Sequence, residues 1–146
     1  MCAEENKDLI RRYMAAVDTR DIAILDRFVS ANFVDHNPYP GATPDLDGLK
    51  VAFAAFHRDF PDGWHTLDDI VADGDKVAAR ITGYATHVGE LFGVPPTGKD
   101  LRMSGIAMWR IADGKIVEHW HVIDMLGLLQ QVGAVPAQPR NGTKHP

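Results

Sequence analysis

Residues 101–123 read LRMSGIAMWRIADGKIVEHWHVI. Two apolar runs with strand-like alternation flank Asp113-Gly114, a dipeptide that tolerates the left-handed backbone of a tight hairpin. The stretch therefore predicts two long antiparallel strands. Residues 64–89, WHTLDDIVADGDKVAARITGYATHVG, repeat the form around Asp73-Gly74-Asp75. The second half of the chain thus reads as four consecutive strands. A short helix, MLGLLQQVG, follows and closes at Gly133, a favourable C-cap residue.

Upstream, the period changes. Leu9, Ile10, Tyr13, Met14 and Val17 recur at helical spacing. A shorter helix, RDIAILDRFVS, places Ile22, Leu25 and Phe28 on one face. NFVDHNPYPG reads as a short strand running into a proline-broken loop. DLDGLKVAFAAFHRDF is helical again, with Leu49, Phe53, Phe56 and Phe60 as its apolar stripe, and Pro61-Asp62-Gly63 ends it. Helices first and antiparallel strands afterwards predict an α+β fold. A curved antiparallel or mixed β-sheet, packed against three N-terminal helices and closed by a short C-terminal helix, would form a cone. Its apolar interior would suit a small ligand.

The 146 residues fit one domain, expected over 1–133. Residues 134–146, AVPAQPRNGTKHP, are proline-rich and aperiodic, and read as a disordered tail. The net charge of −5 argues against nucleic acid or an anionic membrane as partner. A single cysteine, Cys2, allows no disulfide within the chain. With no signal-like N-terminus and no apolar run of about 20 residues, a cytoplasmic location is expected.

The chemistry concentrates in EHWHVID, residues 118–124. Strand alternation puts Glu118, Trp120, Val122 and Asp124 on one face and His119, His121 and Ile123 on the other. Neither histidine shares a face with the carboxylates, so no metal is expected. Trp120 and Asp124 are taken to point inwards, and His119 and His121 outwards. A desolvated Asp124 would be basic enough to take a proton from carbon. Asp124 also directly precedes a helix, where Asp is a favoured N-cap, and the spacing leaves base and cap both open. In VDHNP, His36 could hydrogen-bond a substrate oxygen or act as an acid, or be a turn histidine. Parity forbids Asp35 and His36 from both pointing inwards. His65 and His87 read as edge or surface histidines. Arg80 and Arg110 could serve a water-activating site only if they point inwards.

GVPPTGKD nearly matches a phosphate loop, but Asp100 stands where a magnesium-binding Ser or Thr is needed. Two prolines also remove amide donors, so a nucleotide site is excluded. Ser30 and Ser104 sit in no nucleophile-elbow pattern, which leaves acid–base chemistry or binding alone.

VDHNP, DFPDGWHTLDDIVADGDKVAARITGYATHVGELFGVPPTGK and SGIAMWRIADGKIVEHWHVIDMLGLLQQVG together resemble the SnoaL-like polyketide cyclases, over about residues 5–133. The resemblance implies the cone-shaped fold shared with nuclear transport factor 2, and a homodimer. It implies intramolecular aldol closure of a polyketide-like β-dicarbonyl substrate, without cofactor or metal. It places the proton-abstracting aspartate on Asp124 and matches His36 to the family's histidine in DHNP. Tyr13, Phe53, Phe56, Met108 and Trp120 are then expected to line the pocket around a small apolar or aromatic substrate. The chain departs from the pattern near Met108, where some cyclases carry a pocket histidine and IAMWRI offers none. The alternatives are a non-catalytic ligand-binding protein on the same scaffold and an epoxide hydrolase, hydratase or hydroxylase-like relative.

Overall fold

The two glycine turns position the sheet. In the computed structural model, which describes residues 2–137, Asp113 and Gly114 both adopt positive φ (51° and 72°), as a two-residue type I′ turn requires. They join β4 (Asp100–Ala112) to β5 (Lys115–Ile123). Gly74 (φ 58°) leads the turn between β2 (Trp64–Asp73) and β3 (Lys76–Thr86). The remaining strand, β1 (Val29–Asp35), pairs parallel to β5, giving the order β1-β5-β4-β3-β2. The sheet is therefore mixed, with one parallel pair at the β1 edge.

Four helices complete the chain: α1 (Ala3–Val17), α2 (Ile24–Phe28), α3 (Leu46–Asp59) and α4 (Met125–Gln131). The expected architecture of N-terminal helices, five-stranded sheet and short last helix is observed. Asp45 caps α3 by accepting the Gly48 N–H at 2.9 Å. Leu9, Ile10 and Tyr13 of α1 bury against Val77, Ala79, Trp109 and Ile111 of the sheet, with Leu25, Phe33 and Phe53 closing the cluster. Each of the larger aliphatic side chains here contributes about 1.5–3 kcal/mol of transfer free energy. A second cluster, Phe60, Ala85, Leu101, Leu128 and Val132, seats α4 on the far end of the sheet.

Register decides which residues share this interior. On β3 and β4, Val77 pairs with Trp109 and Ala79 with Ala107, all buried. Trp109 in turn pairs with His119, and Ala107 with His121. His119 and His121 therefore stand on the concave face, beneath the helices. Met108 pairs with Trp120 on the convex face, together with Arg110 and Glu118. The sequence expectation had the grouping right and the faces inverted. The cause is a β-bulge: Ile111 pairs with Ile116 but Arg110 with Glu118, leaving Val117 as an extra residue. Counting by twos from buried Ile116 arrives at Trp120; the extra residue breaks that count.

Of the tail expected over 134–146, residues 138–146 lie outside the described residues. Among the described residues, no helix is long and apolar enough to cross a membrane.

Candidate functional site

The end of β1 lies beside β5, with Asp35 paired to His119. Phe33 is buried, so alternation turns Asp35 inwards as well; it is only 6% exposed. The carboxylate sits 3.5 Å from Nδ1 of His119 and accepts the Asn37 N–H at 3.0 Å. Burial pushes Asp35 up, but the hydrogen bonds and positive charge it gains from His119, with Asn37 and His121 beside it, bring it below the usual carboxylate value. It is an anion held inside the fold.

His119 stacks on Trp109 (centroids 5.7 Å apart) and on His121 (4.8 Å). Nδ1 of His121 is buried without a hydrogen-bond partner among the described residues. Desolvation, reinforced by His119, lowers the His121 pKa from the ordinary 6.5, while Asp35 opposes the shift. The lowered value favours the uncharged ring at neutral pH. Tyr13 faces the same anion from α1. Burial, then the charge of Asp35, pushes its phenol well above the ordinary range, so the hydroxyl stays protonated and can donate. Asp35, His119 and His121 each offer one ligand atom, all within 4.8 Å of one another. They are the cation-capable group among the described residues.

The convex face carries the other sequence-derived candidates. His36 stacks flat on Trp120 (4.5 Å, 1°) and donates from Nε2 to Glu118 at 3.1 Å. Glu118 also accepts from Arg110. Trp120, Met108 and Arg110 thus belong to this outer surface, where Arg80 also pairs with Asp68, and none of them lines the interior. Asp124 is exposed and caps α4, accepting the Gly127 N–H at 2.9 Å. Tyr13 and Phe53 are buried in the core, and Phe56 packs inside against His65 at 5.1 Å.

The family model for SnoaL-like polyketide cyclases matches residues 7–132. The chain belongs to the SnoaL-like polyketide cyclase family. It is 35% identical over 136 residues to the aklanonic acid methyl ester cyclase DauD of Streptomyces sp. strain C5, covering 86% of this chain and 80% of that protein. Among solved structures it is similar to TsrD from Streptomyces laurentii (TM-score 0.82, 30% identity, 92% of this chain and 99% of that one). It is equally similar to AclR, a candidate hydroxylase from Streptomyces galilaeus (TM-score 0.82, 33% identity, 95% and 91%).

The polar side chains gathered around Asp35 are His119, His121 and Tyr13, and of these four sequence reasoning named only Tyr13 as a site residue. The signal for Asp35 was present: Phe33 shares its parity. The inward position facing His121 on β4 is Ala107, next to Met108, so this part of β4 puts no histidine into the interior. His87 also departs from expectation. It is only 1% exposed, and its Nδ1 is bound by Thr97. His65 is clamped by Asp18, which accepts both its ring Nδ1–H (2.7 Å) and its backbone N–H (3.0 Å).

Proposed function

We propose that this protein is a cofactor-independent cyclase that closes a ring in a polyketide-like β-dicarbonyl ester by intramolecular aldol reaction. The observation that carries the proposal is His121: an uncharged, inward-facing imidazole with a buried unpartnered nitrogen, next to a fixed anion. A proton on carbon between two carbonyls is acidic enough for such a base. In this reading His121 takes that proton, and the Asp35 charge stabilises the imidazolium that forms. The enolate carbon attacks a ketone carbon of the same molecule; the carbon–carbon bond forms as the ketone π bond breaks. Tyr13, held protonated, donates to the oxygen that gains charge. Phe53, Phe56 and Trp109 supply apolar walls for an aromatic substrate. The base role that the family resemblance placed on Asp124 passes to His121, and Asp124 acts as the helix cap.

The names of the curated relatives supply a first substrate, aklanonic acid methyl ester. The test is conversion of that ester to a ring-closed isomer, followed by chromatography and NMR. His121→Gln should lower turnover about 10²–10⁴-fold, the usual contribution of a general base. Wild-type turnover by His121→Gln would sink the assignment.

A hydroxylase reading is favoured by the similarity to AclR. Ring closure leaves the substrate mass unchanged and hydroxylation adds an oxygen, so one mass spectrum separates the two.

The convex face supports a homodimer. Val122 is 74% exposed and Ile106 58%, on neighbouring strands and paired in register. An apolar strip of this kind on a sheet face suits a second copy of the chain.

A further inference from the structure

Asp35, His119 and His121 form a set that the proton-transfer reading uses only in part. Two imidazoles and one carboxylate present one donor atom each, mutually within 4.8 Å, on the concave side of the sheet. Donors on adjacent strands hold this arrangement. His119 and His121 are alternate residues of β5, and Asp35 is paired directly opposite His119 on β1. Among the described residues Nδ1 of His121 is buried with no hydrogen-bond partner, so taking up a ligand there breaks none of the hydrogen bonds they make. Asp35 is a buried charged side chain, and its partner His119 is met at the long end of an ion pair, 3.5 Å.

We infer that Asp35, His119 and His121 bind a divalent first-row transition metal, of the zinc or cobalt class, and that the bound ion blocks the enzyme rather than serving it.

Imidazole nitrogens with a single carboxylate suit zinc, cobalt, nickel or ferrous iron, and disfavour calcium and magnesium, which need oxygen ligands. Metal–nitrogen and metal–oxygen bonds of about 2.0–2.2 Å place tetrahedral donors roughly 3.3 Å apart. Asp35 and His119, 3.5 Å apart, are already near that spacing, and the most widely separated donors have to close up by at most about 1.5 Å to meet one ion. Three protein ligands leave a fourth position for water. The inhibitory half rests on the reading of His121 as base: a nitrogen lone pair bound to metal cannot take a proton.

Zn(II) titration by calorimetry on the full chain tests the binding half without any substrate. One site per chain with micromolar or tighter affinity is expected. Asp35→Asn, His119→Gln and His121→Gln should each weaken it at least tenfold, and His36→Gln, on the convex face, should leave it unchanged. Co(II) added to the wild-type chain should give the visible absorption of a tetrahedral or five-coordinate site, a readout that needs no variant. Absence of binding, or weakening by His36→Gln equal to that of the other three, overturns the site. Zn(II) should abolish cyclisation reversibly, with EDTA restoring it. If Zn(II) binds through these three residues and turnover persists, the metal site stands and the assignment of His121 as base falls.

Discussion

Ile116 and His119 both point into the concave face of the sheet, although a separation of three places residues on opposite faces of a regular strand. Ile116 pairs with Ile111 and His119 with Trp109, two buried residues that share a face of β4. The extra residue, Val117, makes this possible. The bulge thus selects which half of EHWHVID enters the interior, and it selects the histidines.

The first consequence separates His121 from Asp124. Asp124→Asn should keep near wild-type turnover and melting temperature, because Asn also accepts the Gly127 N–H. Asp124→Ala should cost about 1 kcal/mol of stability while the folded protein still turns over. His121→Gln should do the reverse, with turnover lost and the melt little changed. Thermal melts and initial rates on the same preparations decide between them. Loss of turnover in Asp124→Asn would return the base to that residue.

Stability should fall as pH drops below about 6.5, the unfolded histidine value. Desolvation lowers both His57 and His121 in the folded state. The unfolded chain therefore binds more protons in the window between the folded and ordinary values, and acid favours unfolding there. Above that window the two groups are neutral in both states and contribute nothing further. Denaturant midpoints between pH 5 and 8 should show the slope, and His121→Gln should flatten part of it. The rate should hold down to lower pH than an unshifted histidine base would allow.

Turnover should survive exhaustive dialysis against EDTA, since the proposed proton transfers use only side chains of this chain. A rate that collapses on chelation and returns with one particular ion would show that a metal takes part in the reaction.

Much of the fold was legible because local chemistry dictated it. Asp113-Gly114 and Gly74 demand tight turns, the runs beside them alternate, and Asp45 and Asp124 precede apolar helical stretches as caps. The site was less legible because distant partners set it. Asp35 is buried through parallel pairing with a strand far along the sequence, and no local pattern announces that edge. Val117 is bulged by its ladder with β4, and nothing in IVEH marks an extra residue. His87 looks like a strand-end histidine until the 88–99 loop folds Thr97 back onto its Nδ1.

Ile106→Glu or Val122→Glu should shift a dimer towards monomer with secondary structure retained, as read by light scattering and circular dichroism. Both residues are exposed and apolar, and they pair across β4 and β5 on the convex face. A monomeric wild-type chain at micromolar concentration would remove the dimer proposal.

Asp35→Asn tests the electrostatics of the interior without any substrate. Asp35 supplies the charge that holds the His121 pKa up against desolvation and helps push that of Tyr13 higher. Removing it should lower both. His121, followed by NMR of its ring protons, should then titrate at a lower pH than in the wild type. The Tyr13 phenol, followed by ultraviolet absorption, should ionise more readily in alkali, with burial alone now resisting it. Turnover should fall in parallel, because a weaker base faces a less stabilised imidazolium. Asn can still accept the Asn37 N–H, so the turn after β1 should persist and the change should be electrostatic. Unmoved titrations in a folded Asp35→Asn chain would mean that Asp35 does not govern the site.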